Sequence, residues 1–127
     1  MLSTADPFEI AESLGMSVEY RQYGKSVKGY FRKIFDRVFI VINSNYCGRS
    51  QRIICAHELG HALLHTDIPD RVTSMSFEDC NPDGFEHEAN IFAAALLIDE
   101  EKLSCSISDM SNYIIKGIFD INMKYVK

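Results

Sequence analysis

His57 and His61 stand four residues apart in an otherwise largely apolar run, Ile53 to Leu64, and that spacing constrains the chain more than anything else in it. Residues four apart share one face of a helix, so both imidazoles can reach a single ion. A helix beginning near Ser50, a good N-cap residue, and running to about His65 fits the pattern. Glu58 then lies about 100° round the helix from His57, beside an open coordination position. There it can take a proton from metal-bound water and pass it to a leaving amine. His57-Glu58-x-x-His61 therefore reads as two ligands and a general base for a zinc ion, Zn2+. The competing reading is a core helix whose histidines are merely packed, since Ile53, Ile54, Leu59, Leu63 and Leu64 already supply an apolar face.

A zinc site of this kind needs a third ligand from another element. Glu86, His87 and Glu88 are the candidates, at the start of a second helix signalled by Asn81-Pro82-Asp83. Glu86 lies three, seven and ten residues before Ala89, Ala93 and Leu96, so it shares the apolar stripe that faces the first helix. Glu88, about 200° further round, faces solvent. Asn90, four residues after Glu86, is placed to orient its carboxylate. Glu86 could instead close a capping box with Asp83, and His87 reads as a rim residue. His65 extends the histidine series, but eight residues rotate a helix by about 80° and advance it about 12 Å, so it cannot join the same ion.

The rest of the chain supplies a scaffold. Asp6-Pro7 opens a helix with Phe8, Ile10, Ala11 and Leu14 on one side, ended by Gly15. The period then changes. Val18 and Tyr20 alternate with polar residues, and Gly29-Tyr30-Phe31 and Val38 to Ile42 are rich in β-branched and aromatic side chains. These predict a three-stranded, mainly antiparallel sheet whose last strand is the most buried, closed by Asn43-Ser44-Asn45. Helices follow the sheet: the histidine helix, the Glu86 helix after a polar loop, a short one near Asp99 to Glu101, and one over Ser108 to Phe119. Met123, Tyr125 and Val126 suggest the start of another, and hence either a chain cut short at its C-terminus or a naturally short variant. The order is that of a small α+β domain.

With 127 residues, 46% of them apolar, one core and one domain (residues 1–127) are expected. The net charge of −5 argues against direct nucleic-acid binding, which depends on neutralising phosphates. No run approaches the length that spans a membrane, and no secretory signal is visible. Cys47, Cys55, Cys80 and Cys105 show no Cys-x-x-Cys pairing, consistent with reduced thiols in a cytoplasm.

Two blocks of the sequence carry a resemblance. Val38 to Ile42 leading into Ala56 to His65, and Glu86 to Leu97, together resemble the ImmA/IrrE family of metallopeptidases. The resemblance implies a zincin-like domain with His57, His61 and Glu86 on zinc, Glu58 as general base and Asn90 as the residue that follows the third ligand by four. It also implies a protein substrate, often a helix-turn-helix repressor encoded on the same mobile genetic element. Ile98-Asp99 departs from the family's usual Met-Pro. The rival expectation is a non-catalytic zinc-containing module that binds a regulator without cutting it. In the catalytic reading an extended peptide adds to a sheet edge near the zinc helix. Tyr113, Tyr125 and His87 are the candidates to stabilise an oxyanion.

Overall fold

The computed structural model describes residues 6–64, 71–73, 85–98 and 105–126. Helix α1, Pro7–Ser13, starts as its sequence requires: the Asp6 side chain accepts a hydrogen bond from the Phe8 N–H at 3.0 Å, and proline occupies the first turn. Strands β1 (Ser17–Arg21), β2 (Gly29–Ile34) and β3 (Arg37–Asn43) follow, then helix α2 (Gly48–Leu64) and a three-residue strand β4 (Arg71–Thr73). Helix α3 spans Phe85–Leu97, a 3₁₀ turn covers Ile107–Asp109, and α4 runs from Asn112 to Ile121 behind a Ser111 cap. The architecture is the α+β arrangement implied by the sequence.

The expected three-stranded, mainly antiparallel sheet is present and is extended by a fourth strand. It has four strands among the described residues, in the order β1-β3-β2-β4, and β1 runs parallel to β3 while the other pairs are antiparallel. The parallel pairing requires the chain between β1 and β2 to cross the end of β3. A single buried side chain organises that crossing. The Asn43 Nδ2 donates to the carbonyls of Tyr23, Gly24 and Val27 at 3.0, 3.0 and 2.8 Å, and its Oδ1 accepts from the N–H groups of Tyr23 and Asn45 at 3.2 and 2.9 Å. Loop backbone groups that would otherwise be buried without partners are satisfied there. Strand β3 sits between two neighbours, which explains why Ile40, Val41 and Ile42 are the most buried part of the sheet.

One face of the sheet receives α2. A methyl group at Gly29 would lie 2.5 Å from Ile54 Cγ2 and 2.8 Å from the Val41 carbonyl, so only glycine lets the helix settle this closely on β2. On its other side α2 meets α3 almost backbone to backbone. A methyl at Gly60 would sit 3.2 Å from both Cα and O of Ala89, and 3.1 Å from Phe92. The helix is therefore covered nearly all round, and Ile53 to Ala62 are buried without a break. The expected apolar stripe ends sooner than the sequence implies, with Leu63 40% and Leu64 52% exposed.

Two further expectations are corrected near the chain's C-terminal part. Ser50 does not cap α2, because the helix begins at Gly48 and the Cys47 carbonyl already accepts from the Gln51 N–H. Instead the Ser50 hydroxyl donates to the Asn122 carbonyl at 2.9 Å and accepts from the Lys124 N–H at 2.7 Å. The segment beyond α4 is not a new helix. It runs extended against Tyr46 through the bridge Tyr46–Tyr125, with Cys47 N–H donating to Lys124 and Val126 N–H to Asn45. Cutting Ser50 back to alanine removes two part-buried hydrogen bonds to backbone and should lower stability by about 1–3 kcal/mol, about 0.5–1.5 for each. Denaturant unfolding measures this; a change within about 0.5 kcal/mol, typical of a surface site, would show that the hydroxyl is dispensable.

Candidate metal centre

The enclosure of α2 from Ile53 to Ala62 places three ionisable side chains where charge is costly. His57 is 1% exposed, and Glu58 and His61 are fully buried. Isolated charges in such surroundings are disfavoured unless partners compensate them. The partner comes from α3. Glu86 places one carboxylate oxygen 3.1 Å from His57 Nε2 and the other 3.1 Å from His61 Nε2. The two rings meet edge to face, with centroids 4.8 Å apart, and Phe31 of β2 stacks at 6.1 Å on the far side of His61. His57 is held from behind as well, its Nδ1 lying 2.7 Å from Asn90 Oδ1. Glu58 lies over β2, its Cγ 3.9 Å from the point a Cβ at Gly29 would occupy.

This donor set fits a metal ion. One ligand atom each from His57, His61 and Glu86 falls within 4.8 Å of the others. Bonds of about 2.0–2.1 Å at tetrahedral angles separate ligand atoms by about 3.3 Å, close to the observed carboxylate–imidazole distances. The back contact points the same way: the Asn90 Oδ1 can only accept, so Nδ1 carries a proton there and Nε2 is the ring nitrogen turned toward Glu86. Burial pushes the Glu86 carboxyl up, but the hydrogen bonds and charges of His57 and His61 outweigh it and hold the group well below the usual carboxylate range. Glu86 is thus an anion poised between two imidazoles.

Of the residues singled out in the sequence, His57, His61 and Glu86 come together, Glu58 lies on the same helix between the two histidines, and Glu88 is exposed. Asn90 is at the site with a different partner from the one expected: it bonds the His57 ring rather than the Glu86 carboxylate. His87 turns toward the 3₁₀ turn, its Nε2 2.9 Å from the Met110 carbonyl. Tyr113 is 83% exposed, and the Tyr125 hydroxyl is committed to the Tyr23 carbonyl at 3.1 Å. His65, Asp83 and the segment from Asp99 to Glu101 lie outside the described residues. Asn112, which the sequence reading passed over, accepts a 2.7 Å bond from Asn90 Nδ2. Its signal was weak: a polar residue directly after its own helix cap, between the apolar Met110 and Ile115.

Among the described residues, the cysteines do not contribute to this centre. Cys47, Cys55 and Cys105 are free thiols, and burial, reinforced by the charges of Asp6 and Glu58, pushes Cys55 up to about 12. Among the described residues, no helix is long and apolar enough to cross a membrane.

Two buried histidines and a glutamate on two packed helices, beside a mixed sheet, define a candidate metal-binding domain. The peptidase family described as the IrrE N-terminal-like domain matches residues 11–116, and the chain belongs to that family. It is 33% identical over 99 residues to an uncharacterized immunity region protein 2 of Bacillus phage phi105, a match covering 76% of this chain and 61% of the phage protein. It is also 33% identical over 75 residues to the metallopeptidase ImmA of Bacillus subtilis strain 168, covering 57% of this chain and 41% of that protein. The matches thus span less than two thirds of either relative.

Proposed function

We propose that this chain is a cytoplasmic, zinc-dependent endopeptidase domain that cuts a specific protein substrate, a transcriptional repressor of the helix-turn-helix kind or a similar regulator. The observation that carries the reading is the convergence of His57, His61 and Glu86 around one point, with Glu58 buried between the two histidines on the same helix. A protein named for a phage immunity region and a metallopeptidase among the relatives support a regulatory substrate. A zinc ion held by the three side chains supplies Lewis-acid chemistry, lowering the pKa of water and polarising a scissile carbonyl.

The chain's own residues do the rest. Glu58 accepts the proton of the attacking water at its carboxylate and returns it to the departing amine. Its burial against β2 keeps bulk water from competing for that proton. Asn90 fixes the His57 ring, and Phe31 flanks the His61 ring, so neither ligand has to be ordered when substrate arrives. Strand β4 lies next to β2 at one edge of the sheet, so a peptide added in extended form there pairs with β4, one strand away from the β2 on which Glu58 rests.

The test is elemental analysis of the purified chain, followed by incubation with candidate repressors and mass spectrometry of the products. About one zinc per chain and a single defined cut support the proposal. A metal-free protein, or broad digestion of unfolded casein, contradicts it.

A further inference from the structure

We infer that Asn112 is a positioning residue for the metal centre: through Asn90 it sets which tautomer His57 presents. The inference rests on the metal-binding reading above but concerns a residue on a separate helix, hydrogen-bonded to Asn90 and not to the ligands or the general base.

Asn112 is the first residue of α4 and is 7% exposed. It lies beside Met110, Ile115 and Phe119, which pack with Ala93 and Ala94 of α3 in one apolar cluster. Burying a carboxamide there is unfavourable unless its polar atoms are used. The helix start does not explain it, because Ser111 already caps α4 by accepting from the Ile114 N–H at 3.3 Å. Nor does Asn112 satisfy itself, since its Nδ2 is buried without a hydrogen-bond partner among the described residues. The one atom put to use is Oδ1, which accepts from Asn90 Nδ2 at 2.7 Å.

That acceptor matters because a carboxamide has two faces of nearly identical shape, so hydrogen-bond partners decide its orientation. A histidine that offers Nε2 to a metal carries its proton on Nδ1 and needs an acceptor behind it. Asn90 provides one at 2.7 Å only while its Oδ1 faces the ring. Turned over, it would point an N–H at an N–H. The Asn112 oxygen draws the Asn90 NH₂ group away from the ring and holds the productive orientation. The bond sequence His57 Nδ1–H to Asn90 Oδ1, then Asn90 Nδ2–H to Asn112 Oδ1, is buried throughout.

Two variants test this. Asn112→Ala removes the acceptor; Asn112→Asp replaces the carboxamide with a group that can only accept. Zinc affinity is measured by chelator competition, and the His57 tautomer by ¹⁵N–¹H NMR of the metal-free chain at a pH where the ring is neutral. Asn112→Ala is expected to weaken zinc about tenfold or more, as loss of outer hydrogen-bond partners does, and to erode the Nδ1–H signature. Asn112→Asp is expected to keep both. Wild-type affinity and tautomer in Asn112→Ala would overturn the inference. So would equal weakening in both variants, which would make position 112 a packing position. Should Asn112→Ala fail to fold, Asn112→Asp decides alone: a retained signature supports the role and its loss refutes it. Should the wild type bind no zinc, the functional proposal falls, while the tautomer comparison still judges Asn112.

Discussion

Glu86→Gln is expected to strip the chain of the proposed metal, and Glu88→Gln, two residues further along the same helix, is expected to leave it bound. The difference follows from orientation. Glu86 lies 3.1 Å from both imidazoles and is 6% exposed, whereas Glu88 is on the solvent side of α3. Glutamine preserves shape while replacing the charge and one acceptor oxygen with an NH₂ donor, and circular dichroism of the variant separates a lost ligand from a lost fold. The expected fall in zinc affinity is at least about a hundredfold, since outer hydrogen-bond partners alone are worth 10–100-fold and Glu86 is proposed as a direct ligand. Equilibrium dialysis against a chelator reads it. Equal zinc retention by Glu86→Gln and wild type would remove the third ligand from the proposed site, and zinc loss in Glu88→Gln would move the ligand to the other face of the helix.

Glu58→Gln is the second large effect, and it falls on rate instead of binding. Glu58 is fully buried beside β2, so the isosteric amide keeps the packing that alanine would destroy. An amide cannot accept the proton of water at neutral pH, and a lost general base costs about 10²–10⁴ in rate. Zinc content should stay at the wild-type level, which separates this variant from Glu86→Gln. If Glu58→Gln cuts the substrate as fast as wild type, Glu58 is not the base. If neither protein cuts but both exert the same biological effect, the chain acts by binding.

Much of this centre was readable from the sequence because its logic is local. Spacing places His57 and His61 on one helical face, and the stripe Ala89, Ala93, Leu96 turns Glu86 inward and Glu88 outward with no knowledge of the rest of the fold. The same holds for α1, whose Asp6-Pro7 start is a short-range signal. What could not be read depends on partners distant in sequence. Asn43 looks like an ordinary strand terminator until Tyr23, Gly24 and Val27 are brought to it, and those bonds make room for β1 to run parallel. Ser50 has the local credentials of a cap, yet its hydroxyl serves backbone more than seventy residues away. The tail from Met123 to Val126 has an apolar pattern that suits a helix, but pairing with Tyr46 makes it extended. Strand β4 is three residues long, too short for any alternation to register. Asn90 was placed near the site by counting from Glu86, and its true partner, the His57 ring, lies on the other helix.

The contact of Gly60 with Ala89 gives the crossed pair α2 and α3 the character of a calliper. Gly60 adjoins His61, and Ala89 adjoins Asn90 and sits three residues from Glu86, so the jaws are fixed where backbone rests on backbone, within a turn of what they grip. Bulky side chains at such a crossing would act as compliant spacers, able to change rotamer and let the gap widen or narrow. Backbone offers no such give. The width of the jaws is therefore set at Gly60 and Ala89, which carry no ligand atom, with the Phe92 ring packed beside them, and any ion held there would have to suit it. Selection among ions of equal charge would be written into this crossing at least as much as into the histidines and the glutamate themselves.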